Sequence, residues 1–164
     1  MVSTIIDALG RTTTETVDSF GNPLSITDPL GNVTTTAYDN LGRTILVTAP
    51  SPSAGQAGPQ MHYAYDLAGR LLTATDALGN TTSYAYDQLD NVIQIAQPSP
   101  GAAAPVTTFV YDDGGELLSE TDPLGRTTTF TYDALGRQTS ITQPVPSGGA
   151  AAPVTTSSTW LPRE

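Results

Sequence analysis

The chain has 164 residues, a net charge of −10, six arginines, no lysine and no cysteine. That length is enough for one domain with a core. The acidic balance excludes nucleic acid and anionic membrane as partners, since both require clustered basic side chains, and the missing cysteines exclude disulfides and thiolate zinc sites. No apolar run approaches the ~20 residues a membrane helix needs, and the opening MVSTIIDALGR lacks the features of a secretory signal.

In chain order, the dominant feature is a recurring Asp-x-x-Gly-(Asn/Arg) motif. It starts at Asp7, Asp18, Asp28, Asp39, Asp66, Asp76, Asp87, Asp112, Asp122 and Asp133. Two copies are imperfect: Asp90 stands where Gly belongs, and the Asp112 copy ends in Glu116. Each motif reads as a tight hairpin turn. Asp accepts backbone N–H groups, the two central residues suit a type I turn, and Gly supplies the left-handed residue of a G1 bulge. The structural turn residues expected on this basis are Asp39, Gly42, Arg43, Asp66, Gly69, Arg70, Asp76, Gly79, Asp122, Gly125, Asp133, Gly136 and Arg137. The turns at Asp87 and Asp112 should be the least regular. A calcium-binding β-roll is disfavoured by the spacing and by the absence of Gly-Gly-x-Gly.

Between the turns lie strands of about six residues. They are expected near 2–6, 11–17, 22–27, 32–38, 43–48, 60–65, 70–75, 80–86, 91–96, 106–111, 116–121, 126–132, 137–142 and 154–160. Long Pro/Gly/Ala loops occupy 49–60, 97–106 and 143–154. They set a larger repeat, approximately 18–65, 66–111 and 112–159, with every long loop on the same edge of the ribbon. An aromatic row, Tyr38, Tyr65, Tyr84, Tyr86, Tyr111, Phe130 and Tyr132, follows period-two alternation and reads as one half-buried sheet face. The expected fold is all-β: a single antiparallel hairpin ribbon or solenoid over 1–164, with about fourteen short strands, curved or spiralled.

YDNLGR (38–43), YDLAGR (65–70) and YDALGR (132–137), with TDPLGN (27–32), TDALGN (75–80) and TDPLGR (121–126), resemble RHS/YD repeats over nearly the whole chain. The resemblance implies a long antiparallel ribbon that spirals into a shell. In the toxins of the family that shell encloses a cargo domain. The cargo-cleaving aspartate pair of some members has no match here, so no residue inherits that role, and the Pro-rich loops are longer than the usual turn.

The residues carry no catalytic constellation, so the chain is read as non-enzymatic, with no cofactor and no metal. His62 lies between Met61 and Tyr63, opposite the aromatic row, and reads as a surface or packing residue. Asp112, Asp113, Glu116 and Glu120 read as a solvated acidic edge, and Asn32 and Asn80 head glycosylation sequons at positions where the turn already favours Asn. The leading expectation is a structural segment of an extracellular or cell-surface β-ribbon shell or self-assembling fibre, of bacterial type. The alternatives are a carbohydrate- or surface-binding module using the tyrosines, and a wall segment of a toxin-encapsulating cage. The expected partner is a second copy, joined through the terminal strand edges, or a continuation into a longer repeat chain. Pro or Lys at Thr156 and Ser158 should block such joining.

Overall fold

The computed structural model describes residues 1–53, 55–99, 101, 103–145 and 153–156. It is all-β, with no helix among the described residues. The strands are β1 (Val2–Ile6), β2 (Thr12–Val17), β3 (Pro23–Thr27), β4 (Val33–Tyr38), β5 (Thr44–Thr48), β6 (Gln60–Tyr65) and β7 (Leu71–Thr75). There follow β8 (Thr81–Tyr86), β9 (Val92–Ala96), β10 (Val106–Tyr111), β11 (Leu117–Thr121), β12 (Thr127–Tyr132), β13 (Gln138–Thr142) and β14 (Val154–Thr156). The fourteen strands take sheet order β1 to β14 without a crossover. Each begins and ends within a residue of the expected position, except that 157–160 of the last lies outside the described residues. Thr, Val, Ile, Leu and Tyr dominate the strands, residue types that suit a pleated, half-covered surface. The chain divides into two compact units, Met1–Thr81 and Thr82–Glu164.

Within each unit the hairpins are of two kinds. Hairpins whose turn begins at Asp7, Asp28 or Asp122 pair without interruption, as in Thr27↔Val33 and Ser25↔Thr35. Hairpins whose turn follows a Val-Asp or Tyr-Asp pair skip one residue. Ala37 faces Leu46 but Tyr38 faces Thr44, which leaves Ile45 as an extra residue. Leu24 and Leu72 are skipped in the same way in the first unit, and Ile93, Leu118 and Thr139 in the second. An extra residue on one strand bends it and increases its twist. Pairing between β3 and β4 correspondingly stops at Ser25↔Thr35, and pairing between β5 and β6 at Leu46↔His62. Neighbouring hairpins therefore separate toward what we call the tyrosine edge.

The long loops lie at the opposite edge and close by one bond each. Ala49 N donates to Pro59 O at 2.8 Å, Gln97 N to Pro105 O at 2.9 Å, and Gln143 N to Pro153 O at 2.9 Å. Proline has no N–H to return, so pairing ends there. Residues 54, 100, 102 and 146–152 of these loops lie outside the described residues.

The two faces of the sheet differ. In the first unit one face carries Ile26, Val47, Met61, Tyr63 and Ala74. The second unit repeats this with Tyr84, Ile95, Phe109, Phe130 and Ile141. The other face is a field of hydroxyls. Thr16, Ser25, Thr35 and Thr48 stand side by side on β2 to β5, and Thr16 and Ser25 hydrogen-bond at 2.6 Å. The length-based expectation of a core is corrected here, because no described residue is fully buried. A core requires a second layer against the apolar face, and among the described residues every strand lies in the sheet itself.

Candidate functional site

The chemistry of the chain is concentrated in its turns. In the Asp39 turn, Asp39 N donates to Arg43 O at 2.9 Å and Gly42 N to Asp39 O at 3.0 Å, closing the backbone. The Asp39 carboxylate then takes three donors. Its Oδ1 accepts Leu41 N at 2.9 Å and Arg43 N at 3.0 Å, and its Oδ2 accepts Arg43 Nε at 2.6 Å. The Asp28 turn repeats the scheme with Asn in place of Arg: Leu30 N at 2.8 Å, Asn32 N at 2.9 Å and Asn32 Nδ2 at 2.7 Å. Asp66, Asp122 and Asp133 hold Arg70, Arg126 and Arg137 in the same manner, and Asp76 holds Asn80. Donors on both oxygens favour the charged form. The hydrogen bonds from Arg43, Arg70, Asn80, Arg126 and Arg137 hold Asp39, Asp66, Asp76, Asp122 and Asp133 below the usual carboxylate range. Gly42, Gly69, Gly79, Gly125 and Gly136 have φ of 75°, 93°, 81°, 75° and 74°, the left-handed conformation that closes each turn.

The two imperfect copies behave differently from each other. In the Asp87 turn, Asp90 takes the glycine's left-handed conformation, with φ 67°. The Asp112 turn is regular, which corrects the expectation for it: Asp112 N reaches Glu116 O at 3.0 Å and Gly115 N reaches Asp112 O at 3.0 Å. The reason is that Gly115 keeps the left-handed φ, at 82°, and the turn asks only for backbone atoms of residue 116. What changes is the side chain. Glu116 sets a carboxylate against Asp112 and near Asp133, and desolvation followed by the Asp112 charge raises its pKa.

Each aromatic-row residue has a defined position. Tyr38, Tyr65 and Tyr132 lie where neighbouring hairpins separate, and their hydroxyls bridge the gap. Tyr38 OH donates to Pro23 O at 2.9 Å, Tyr65 OH to Thr44 O at 2.9 Å, and Tyr132 OH to Leu117 O at 3.0 Å. Tyr84 faces Ile95, Tyr86 faces Val92, and Phe130 faces Ile141. Tyr111 is held above the usual phenol range by desolvation and by the charges of Asp87 and Glu120. Arg43 adds a second bridge. Its Nη1 donates to Asp66 O at 2.9 Å, and its guanidinium carbon stands 4.8 Å from the Tyr65 ring centroid. Sequence reasoning placed Arg43 at a turn end but missed this reach to the next hairpin. The pairing of Asp with Arg or Asn four residues later in nearly every copy was the available signal.

The remaining candidates find structural positions. His62 is exposed on the hydroxyl face, opposite Leu46 and Thr75. Asn32 and Asn80 commit their side-chain amides to Asp28 and Asp76, at 2.7 and 2.8 Å. Among the described residues no three His, Cys, Asp or Glu side chains are grouped as a metal site. No helix among them is long and apolar enough to cross a membrane.

The RHS repeat family model matches residues 17–54, 65–101 and 111–148, segments that begin at Val17, Tyr65 and Tyr111, directly before the turn aspartates. The chain belongs to the RHS repeat family. It is similar in fold to the crystal structure of TcdB2-TccC3-TEV, with a TM-score of 0.68 and 23% identity over 80% of this chain and 7% of that one. TcdB2-TccC3 without its hypervariable C-terminal region matches with a TM-score of 0.52 and 23% identity, over 88% of this chain and 10% of that one. The Photorhabdus luminescens Tc holotoxin pore matches with a TM-score of 0.51 and 23% identity, over 89% of this chain and 9% of that one. This chain therefore spans a tenth or less of the solved chains it matches. No curated protein matches it.

Proposed function

We propose that this chain is a non-catalytic stretch of wall in an extracellular β-ribbon assembly, with a toxin-enclosing shell as the form of assembly. The observation that carries this reading is that the turns consume their own polar chemistry. Each aspartate that heads a turn already accepts backbone N–H groups of its own turn, as Asp39 and Asp133 do. What the strands offer instead is surface: an apolar face with no fully buried residue among those described, and a hydroxyl face. The solved relatives include Tc holotoxin components, and by analogy the ribbon continues through further repeats or pairs with a second copy at its outer strands.

A carbohydrate-binding role is less well supported, because Tyr38, Tyr65 and Tyr132 donate their hydroxyls to backbone carbonyls. Electron microscopy of the full natural polypeptide tests the wall reading. Density for these repeats in the wall of a hollow particle supports it. The same repeats found as a separate module outside any enclosing wall overturn it.

A further inference from the structure

We propose that the groove between the Asp18 and Asp39 turns is a receptor for a guanidinium group, an arginine side chain of a basic peptide. The argument rests on a comparison inside the first unit. Between the Asp39 and Asp66 turns the tyrosine edge is filled by Arg43, which pairs with Asp39, lies over the Tyr65 ring and donates to Asp66 O. One hairpin earlier the corresponding residue is Asn22. Its amide reaches Asp18 Oδ2 at 2.9 Å and comes within 3.9 Å of a Cβ placed on Gly42 of the next turn, but it is neutral and brings no cation over the Tyr38 ring as Arg43 does over Tyr65. The result is an open groove of about 590 Å³, lined by Phe20, Tyr38 and Asp39 among others.

The elements that receive Arg43 are repeated in this groove. The Tyr38 ring is fixed by its hydroxyl bond to Pro23 O, as Tyr65 is by its bond to Thr44 O, both at 2.9 Å. Asp39 O accepts Gly42 N at 3.0 Å, and a carbonyl has a second lone pair for a further donor, the one that Asp66 O gives to Arg43. Charge complementarity supplies the second argument. Asp39 is neutralised by Arg43, whereas Asp18 is bonded to the neutral amide of Asn22, so the groove carries net negative charge. Phe20, 89% exposed at the tip of the Asp18 turn, adds an aromatic wall against which a guanidinium plane can stack. A guanidinium meets all three features at once. An ammonium matches the charge but lacks the plane and the forked donors.

The test uses the full chain and follows the Tyr38 and Phe20 ring resonances by NMR during titration with arginine amide, lysine amide or citrulline amide. Arginine amide should shift both rings saturably, and the uncharged citrulline amide should not. Asn22→Arg fills the groove from within and should weaken the arginine response by about tenfold or more, equivalent to one tethered competitor. The reciprocal variant Arg43→Asn should create a second arginine-responsive ring at Tyr65. Equal responses to arginine and citrulline amides, or an arginine response unchanged by Asn22→Arg, overturn the proposal. Should Asn22→Arg fail to fold, Tyr38→Leu serves in its place, with the Phe20 ring as reporter. An undiminished response in that variant also overturns the proposal. Because the readout is a ring resonance in the isolated chain, its failure leaves the wall reading untouched.

Discussion

Replacing Gly79 isolates the energetics of one turn. Its φ is 81°, and a Cβ built there meets nothing within 4 Å. Any loss of stability therefore comes from the backbone and not from a clash. Holding an L-residue in the left-handed conformation costs about 1–2 kcal/mol, with β-branched residues at the upper end. Removing glycine also reduces the entropy of the unfolded chain, which returns about 0.4–1 kcal/mol. The net expectation is roughly 0.5–1 kcal/mol for Gly79→Ala and about 1–1.5 kcal/mol for Gly79→Val. In a chain of this length each kcal/mol lowers the melting temperature by about 2–4 °C. Gly79→Asn should fall closest to the parent, since Asn tolerates this conformation. Thermal unfolding by calorimetry gives the ranking, and amide exchange at Asp76 and Asn80 localises it to the turn. If Gly79→Val melts with the parent, the turn does not depend on positive φ. If Asn is as damaging as Val, the loss has a cause other than backbone handedness.

Three further outcomes are expected. The turn aspartates have folded pKa values below their ordinary 3.8, so the stability they confer is present above that value and lost as pH falls through the folded values. Melting temperature should accordingly drop on acidification below about pH 4, and a flat profile from pH 6 to 2 contradicts the carboxylate scheme. Glu116 has the opposite sign. Its folded pKa lies above the ordinary 4.5, so its contribution is greatest below that value and is lost as pH rises through the raised one. Glu116→Gln should therefore melt higher than the parent at neutral pH and match it near pH 4, and a neutral-pH loss of stability sinks this account. Tyr132→Phe removes the bond to Leu117 O and should cost about 1 kcal/mol while leaving the strand register intact. Chemical shifts that move along β12 and β13 beyond that contact refute the bridging role.

The positions of the strands were legible because their signals are local. Asp accepts from the residue two ahead, Gly takes positive φ, and alternation assigns the faces, so motifs ten or eleven residues apart, interrupted by the Pro-rich loops after β5 and β9, fix the boundaries of β2 to β13. The absence of a core was not legible from length. A residue count says how much surface a chain can bury, not whether it supplies a second layer, and here the period-two pattern, of Val47 and Tyr63 in the first unit and of Tyr84 and Phe130 in the second, describes one half-covered face within each unit. The extra residues Leu24, Ile45 and Leu72 were also missed. They read as ordinary strand positions, and only the pairing on either side shows that Tyr38 has moved from the partner it would have by simple counting.

The skipped residues and the bridging side chains are parts of one arrangement. An extra residue in each hairpin of the tyrosine edge bends it away from its neighbour, so ladder bonds between hairpins stop short of that edge. Backbone groups left between them require partners. A phenol is long enough to reach across, which is why Tyr precedes the turn aspartate where Pro23 O, Thr44 O and Leu117 O are exposed. Arginine at the turn end answers the same gap from the other side, joining its own Asp39 to Asp66 O of the next hairpin. In repeat arrays stability is approximately a sum of nearest-neighbour terms. With no fully buried residue among those described, these polar bridges add to the ladder pairs that join each hairpin to the next. Asn22 and Glu116 stand where Arg43 stands in its own copy. Substituting that position weakens one bridge without disturbing the turn, and the tyrosine edge can vary its side chains while its register stays the same.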